Sequence, residues 1–588
     1  MFTSPAWVPS LPFADLCFLE EPPNSITIEE FILSGKYGRR PAATSRSPFT
    51  CGLTGKSFTA TQVPQRINFL ARGLAQALNI TPNKGLSLDK VIAVFSPNTI
   101  NYIPLVLAIH RIGGIVTPAS ASQSPSELEY QLKKTGAVAI FTCPQLLDTA
   151  KKAAEQCGIT DDKIFIMDFS GAKSTTSHIS LEKLISIGKD LPDLEALNWP
   201  KGEGARRAAF ISMSSGTSGL PKACVISHYN VISNVLATAT YETGARSHFK
   251  FDTQVTLGLL PMSHIYGLVT VALCAAYQGD ELIVLPKFTI DSFLDAIQRF
   301  KIRRLYVAPP IIIQMLRNRD KCLKHDLSSV ANIHTGGAPL YAETAEQLLK
   351  MYPDWHLGQG YAHLLGMTET ATLICTTSEH DIDLGSSGSL LPGIRAKVID
   401  SDGKEVFTYE TPGELLVQSP SIIPGYLGNG RADEETFVWD DDGRWIKTGD
   451  EVVIRKGPSG NEHVVVVDRI KELIKVKGFQ VPPAELEAHL LTHVAVQDCA
   501  VIPVPDEAAG ERPKAFVVKK ASAAGAVDDE ELARQISLHV QNHKAAHKWL
   551  KGGIEFVNEV PKSPSGKILR RLLVDLERKR RARGRARL

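Results

Sequence analysis

The feature that most restricts the fold is an alternation. From residue 91 onward, short runs of apolar and β-branched residues take turns with stretches of helical period. Residues 91–95 read as a buried strand, and residues 103–112 as a helix that Gly113-Gly114 ends. Residues 138–141, 163–167, 210–213, 255–259, 281–285 and 305–307 read as further strands. Strands separated by helices bury their faces as stacked layers, so the pattern predicts an α/β fold. The texture changes over 388–418, where short alternating strands and Gly/Pro turns predict a small β subdomain. It changes again near Asp468. Residues 471–478 carry three lysines, 483–491 read as a helix, and 496–504 and 515–518 as strands. A boundary at Asp468 then separates a large N-terminal domain of layered α/β subdomains, 1–467, from a small α+β C-terminal domain, 468–588. Residues 1–45, rich in Pro, Ser and Gly, are expected to drape over the core, and the apolar run 267–277 to form a buried helix.

A chain of 588 residues exceeds what one compact core supports. The formal net charge of +2 points to neither nucleic acid nor a membrane surface as partner, and no apolar stretch is long enough to form a transmembrane segment. No basic segment followed by an apolar run opens the sequence, so a secretory leader is not expected. Nine cysteines, none in a Cys-x-x-Cys pair, argue against a disulfide framework or a thiolate zinc site. Positive charge gathers at 577–588, seven Arg or Lys against one Glu, which reads as a solvated end. His543 and His547 stand four apart with no third ligand near them in sequence, so a surface helix is expected there rather than a metal pair.

The most informative segment is Ser212-Met213-Ser214-Ser215-Gly216-Thr217-Ser218-Gly219-Leu220-Pro221-Lys222. Small residues let backbone N–H groups approach phosphate oxygens, hydroxyls add donors, and Lys222 adds charge. The spacing is not that of a Walker A loop, and residues 223–227 look extended, so a loop between strands is expected. A Gly/Ser-rich turn in a hairpin is the plainer alternative.

Residues 214–222 resemble the phosphate-binding signature of the adenylate-forming enzymes, and further motifs in the family's order run from about Pro97 to Arg571. The resemblance implies nucleotide contacts from Ser214, Ser215, Gly216, Thr217, Ser218, Gly219 and Lys222. The segment Pro261-Met262-Ser263-His264-Ile265-Tyr266-Gly267 is similar to the one lining the family's acyl pocket, which puts His264 beside the carboxylate and Tyr266 in the pocket wall. Thr335-Gly336-Gly337-Ala338-Pro339-Leu340 resembles the next motif, implying that Gly337, Ala338 and Pro339 approach acyl chain and adenine. Gly360 and Tyr361 match the adenine-stacking motif; Thr368 would bond the α-phosphate, and Glu369 would hold Mg²⁺, a hard cation suited to carboxylate and phosphate oxygens. Here the sequence departs from the family, because Ala362-His363-Leu364-Leu365 intervenes before Gly366-Met367-Thr368-Glu369. Gly413-Glu414-Leu415 and Gly425-Tyr426 match structural motifs to which no chemistry is assigned.

Asp450 matches the carboxylate that accepts hydrogen bonds from the ribose hydroxyls. Arg469 would contact ribose or phosphate, Lys471 matches the hinge, Lys475 and Gly478 fall on the thioester-forming face, and Gln480 is a further cofactor-binding candidate in the same segment. Lys567 matches the lysine that swings into the active site during adenylation. The resemblance therefore implies an AMP-forming acid–CoA ligase with a mobile C-terminal domain, using ATP, Mg²⁺ and coenzyme A. An aryl or medium- to long-chain carboxylic acid would be activated as an acyl-adenylate and passed to the CoA thiol. A luciferase-like member, or a degenerate one that binds nucleotide without turnover, is the alternative. The ending Ala586-Arg587-Leu588 resembles a peroxisomal import address, which implies a peroxisomal location and an import receptor as partner.

Overall fold

The computed structural model describes residues 1–2, 21–167, 176–214, 221–336, 342–359, 366–477, 479–506, 508–520, 528–563 and 567–585. Two seven-stranded sheets dominate. The first runs in the order Gly425–Tyr426, Lys222–Ser227, Ala208–Ser214, Ile115–Ala119, Val91–Phe95, Ala139–Thr142, Ile164–Ile166. Its last five strands are parallel, and Lys222–Ser227 returns antiparallel on Ala208–Ser214. The second runs His356–Gln359, Asn332–Thr335, Arg304–Val307, Val255–Gly258, Glu281–Val284, Phe49–Cys51, Ser57–Phe58. It is parallel except for the hairpin at its Ser57–Phe58 edge. Strands such as Val91–Phe95 are buried along their whole length, as a sheet covered on both faces requires.

Local chemistry sets the helices that cover these sheets. Ser124 and Glu127 form a reciprocal cap at the start of Pro125–Thr135, and Gly136, with φ 68°, closes its end. Helices Gln62–Leu78 and Leu181–Lys189 touch backbone to backbone: a Cβ on Gly188 would lie 1.8 Å from the Phe69 carbonyl oxygen, and one on Gly73 2.1 Å from that of Leu184. Only glycine fits at both positions. The run at 267–277 is buried as expected, but its first turns, Tyr266–Leu273, are π-helical before Cys274–Gln278 becomes α-helical.

The draping N-terminal segment needs correction. Residues 3–20 lie outside the described ones, but Ile28–Leu33 is a helix capped by Thr27, with Ile28 and Phe31 fully buried. Its start is fixed where the Ile28 N–H donates to His228 Nδ1 at 3.0 Å. This stretch is core, because its apolar spacing lets it close one layer over the helix His228–His248.

An antiparallel six-stranded sheet follows, including Arg395–Ile399, Gly413–Gln418, Gly443–Lys456 and Glu462–Arg469. The last of these strands runs through Asp468 to Arg469, and the next strand, Ile474–Val476, already belongs to a different, five-stranded sheet. The change of sheet therefore occupies residues 470–473. In the five-stranded sheet, alternate residues of Val496–Asp506 feed two cores. Cys499 and Val501 pack with the helices Pro483–Leu491 and Asp529–His543, whereas Ala500, Ile502 and Val504 pack with Leu573 of Arg570–Arg585. The period of two thus covers both faces of this sheet with helices.

Candidate active site

Ser214 and Lys222 face each other as the last pair of an antiparallel hairpin. The segment between them, with Ser215, Gly216, Thr217, Ser218 and Gly219, lies outside the described residues, as do Gly337, Ala338, Pro339, Gly360, Tyr361, Gly478 and the four extra residues 362–365. The hairpin itself agrees with the expected loop between strands.

Lys222 lies over the ring of Tyr426, its Nζ 4.7 Å from the centroid. Tyr426 reaches this place because its two-residue strand pairs with Lys222–Ser227, opposite Cys224. The Tyr426 hydroxyl donates to Glu369 Oε1 at 2.9 Å. Burial first, and the Glu369 charge second, push the Cys224 thiol up, while Ser214 bonds to the same thiol. Ser214, Lys222 and Glu369 thus meet around one strand end. Tyr426, left without chemistry in the sequence reading, joins them; only its motif position could have flagged it.

Glu369 sits on a strained turn. Directly after the 3₁₀ turn Thr368–Thr370, Ala371 has φ 50° and Thr372 φ 125°, the latter an unfavourable value for a β-branched residue. The strain is held by side chains: Thr370 Oγ1 donates to the Thr372 carbonyl at 2.8 Å, and Asn234 Nδ2 donates to the Leu373 carbonyl at 2.7 Å. Such over-determined strain is characteristic of functional sites, because it fixes a carboxylate before the ligand arrives.

A second group forms around Asp450. Asp450 is fully buried, and neither carboxylate oxygen has a hydrogen-bond partner among the described residues. Arg469, its register partner on the adjacent strand, places Nε 3.4 Å from Oδ1. Burial holds the Asp450 carboxyl well above the usual carboxylate range, opposed by Arg469 and then Lys567. A buried carboxylate without donors costs free energy, so its two oxygens fit a ligand that brings two hydroxyls.

Lys567 reaches this group from the small domain. Its backbone N–H donates to Ser563 Oγ at 3.1 Å, and the Ser563 N–H donates to the Lys567 carbonyl at 2.7 Å, pinching the loop that presents it. Burial lowers its ammonium pKa to about 8, with Arg469 pressing the same way and Glu472 and Asp450 opposing. The same charge reaches His264, which burial and then Lys567 lower to about 4. His264 is therefore neutral at pH 7. Its segment is fixed by Asn98, which accepts the Met262 N–H at 2.8 Å and donates to the Leu260 carbonyl at 2.9 Å. Asn98 carried no sequence signal beyond its place after Pro97.

Arg431 first, and then the charges of Lys222 and Lys471, lower Glu435, which places the phosphate-loop lysine and the hinge lysine around one carboxylate. Arg570 ties the linker to the small domain by donating to Glu472 and Glu487 at 2.6 Å each. Lys475 and Gln480 are not brought in. They face each other across an exposed hairpin, and the Lys475 N–H donates to Glu511 at 2.8 Å.

Tyr266 follows His264 by two residues, and its backbone N–H donates to His264 Nδ1 at 3.3 Å. It is buried, its hydroxyl lacks a partner among the described residues, and a Cβ on Gly336 would lie 2.5 Å from its ring. Tyr306 stands edge-on to it at 6.1 Å. Beyond lies a polar cavity walled by Glu242, Arg304, Tyr306, His334 and Thr376. Arg304 donates to Glu379 at 2.5 Å and to the Tyr306 hydroxyl at 3.1 Å.

Known proteins share this architecture. Residues 35–427 match the AMP-binding enzyme family and residues 485–567 the AMP-binding enzyme C-terminal domain. The acyl-CoA ligase AFT1-1 of Alternaria alternata is 40% identical over 579 residues, covering 97% of each chain. The acyl-CoA ligase easD of Emericella nidulans is 37% identical, covering 97% of this chain and 99% of its own. In fold, the anthranilate CoA ligase AuaEII, solved with anthranoyl-AMP, gives a TM-score of 0.78 at 23% identity over 95% of this chain and 99% of its own. ATP-bound MatB from Rhodopseudomonas palustris gives 0.74 at 24%, over 93% and 98%. The chain belongs to the AMP-binding enzyme family, and within it to the adenylate-forming enzymes of acyl-CoA ligase character.

Proposed function

We propose that this enzyme joins a carboxylic acid to coenzyme A in two steps through an acyl-adenylate, with Lys567 serving the first step. The observation that carries the reading is the meeting of Lys567, Asp450 and Arg469 beside His264, although Lys567 lies 98 or more residues from each.

In the first step the acid's carboxylate attacks the α-phosphorus of ATP and pyrophosphate leaves. Asp450 accepts both ribose hydroxyls, which supplies its missing donors. Lys222 and the loop before it hold the leaving phosphates. Thr368 bonds the α-phosphate, and Lys567 stabilises the charge that builds between carboxylate and phosphate. Glu369, aimed by Tyr426, would hold Mg²⁺, which neutralises charge on the phosphates when bound. Neutral His264 would meet the acid's carboxylate without adding charge. The protein's work is positioning and electrostatic stabilisation.

In the second step the CoA thiol attacks the adenylate carbonyl and AMP leaves. Lys567 then blocks the approach, so the small domain turns about residues 470–473 and presents Lys475, Gly478 and Gln480 instead. The exposure of Lys475 and Gln480 here supports that division of labour. This is gating rather than chemistry.

The acid's tail would meet Tyr266. A long, wholly apolar chain pushed past it would press on the paired Glu242 and Arg304 and on His334 and return no hydrogen bonds. The site therefore favours a compact acid with a hydroxyl or carbonyl towards its far end, where the Tyr266 hydroxyl can pair with it. ATP–pyrophosphate exchange with a panel of acids tests the function. Exchange with at least one acid, followed by CoA-dependent AMP release, supports it. Nucleotide binding with no exchange for any acid would leave a binder without turnover. The peroxisomal address at Ala586-Arg587-Leu588 is part of the same proposal; a fluorescent fusion of the last dozen residues that stays diffuse in the cytosol would count against it.

A further inference from the structure

Outside the active site, three histidines gather on the small domain. Helix Asp529–His543 carries His539 and His543 four residues apart, hence on one face. That face looks onto His489 of helix Pro483–Leu491. The surface helix expected to carry both His543 and His547 ends at His543, and His547 instead stacks on Phe479 at 4.4 Å. The third imidazole, missing from the local sequence, comes from a helix about fifty residues earlier. One ring nitrogen from each of His489, His539 and His543 lies within 4.8 Å of the others.

The surroundings set the tautomers. His489 Nε2 lies 3.1 Å from the His539 carbonyl oxygen, and His543 Nδ1 2.9 Å from the same oxygen. His539 Nε2 lies 3.3 Å from the His489 carbonyl oxygen and 2.8 Å from Thr492 Oγ1, whose own proton goes to the His489 carbonyl. A carbonyl only accepts, so each of these nitrogens carries the proton and donates it. In the neutral ring the other nitrogen keeps its lone pair. Metal-ligating imidazoles likewise donate one nitrogen's proton to a backbone carbonyl and keep the other nitrogen for the ion. Burial and then His489 hold His539 below its ordinary pKa, which keeps it neutral. His493 stands 5.2 Å from His539, but its Nδ1 accepts the Ala495 N–H, so it is outside the donor set.

We propose that His489, His539 and His543 form a binding site for a borderline divalent transition metal such as Zn²⁺, joining the two helices of the small domain. Three imidazole donors with no carboxylate select such ions over Mg²⁺ or Ca²⁺. Glu485, one turn before His489 on the same helix, is engaged by Lys544 and Lys548 at 3.0 and 2.5 Å. Zinc–nitrogen bonds of about 2.0–2.1 Å require the three donors to draw closer than they stand here. His489 and His539 stack with planes 6° apart, and lone pairs in parallel planes do not converge, so the ion turns one ring out of the stack. His489 and His539 are only partly buried and His543 is exposed, which leaves room for that turn. Without thiolates, affinity falls well short of a cysteine zinc centre. The site lies two residues from Glu487, which holds Arg570, so the ion stiffens the helix that docks the Lys567 segment.

The test uses full-length, chelator-treated enzyme titrated with Zn²⁺ by calorimetry, with the melting midpoint followed in parallel. The wild type is expected to bind one Zn²⁺ that His543→Ala weakens at least tenfold, and to gain a rise in midpoint that this variant lacks. His543 is exposed, so the variant keeps its fold; His547→Ala is expected to bind as the wild type does. Mg²⁺ at the same concentration is expected to give no rise. A wild type that takes up no Zn²⁺, or a His543→Ala and a His489→Ala variant that both bind it unchanged, would overturn the proposal.

Discussion

The Tyr426 hydroxyl donates to Glu369 Oε1 at 2.9 Å while the face of its ring supports Lys222. One side chain thus orients both a carboxylate and a cation that would flank the same phosphates. Tyr426→Phe keeps the ring and removes the hydroxyl. Hydrogen bonds to charged groups are worth about 1.5–3 kcal/mol, so adenylation is expected to fall by roughly 10- to 100-fold. The Mg²⁺ concentration for half-maximal pyrophosphate exchange should rise with it.

Asp450 gives a prediction about stability. Its carboxyl is held above the usual range, mainly by burial. Between its unfolded value, about 3.9, and that raised value, the folded chain binds more protons than the unfolded one. Stability of the nucleotide-free enzyme therefore falls as pH rises through this window. Asp450→Asn removes the cost, so its melting midpoint should exceed the wild type's at pH 8 and the gap should close towards pH 4. ATP affinity should drop by roughly 10- to 100-fold at the same time, because an amide offers one acceptor where two are needed. A variant that is both less stable at pH 8 and unchanged in ATP binding would remove Asp450 from the site.

Much of the fold was legible beforehand. The strands named between residues 91 and 307, and the helix at 103–112, fall within a few residues of their expected places, because continuous apolar runs mark strands covered on both faces; the strand Ile115–Ala119 was not named. The hairpin at Ser214 and Lys222 was legible for a different reason: no helix-forming segment follows the loop. The helix Ile28–Leu33 was not, since six residues between Pro- and Ser-rich stretches carry too little periodicity. In the site, Glu369, Asp450 and Lys567 could be named from their order along the chain. Tyr426, Asn98 and the histidine trio could not. Their roles arise from strand pairing and helix docking across long sequence separations, which no local pattern records.

Lys567 carries a pH prediction. Its depressed value, about 8 in the free enzyme, means that it loses its charge as pH rises through 8. Because kcat/KM reports free-enzyme groups, kcat/KM for adenylation should fall on an alkaline limb near that pH. Lys567→Arg, which stays charged, should lose the limb even if its rate is lower throughout.

Tyr266 separates acids by their far ends. Tyr266→Phe leaves the apolar wall intact and removes one buried hydroxyl. Acids with a distal hydroxyl or carbonyl should lose roughly 3- to 10-fold in kcat/KM, whereas plain acids of equal size should hold or gain. Equal losses for both classes, measured on matched pairs, would mean that Tyr266 only packs.

The most direct measurement separates the two half-reactions in Lys567→Ala. Pyrophosphate exchange should fall by at least about 100-fold, the scale of losing one charge-stabilising donor, while thioester formation from supplied acyl-adenylate stays near the wild-type rate. Exchange in Lys567→Ala that stays near the wild-type rate would contradict the account.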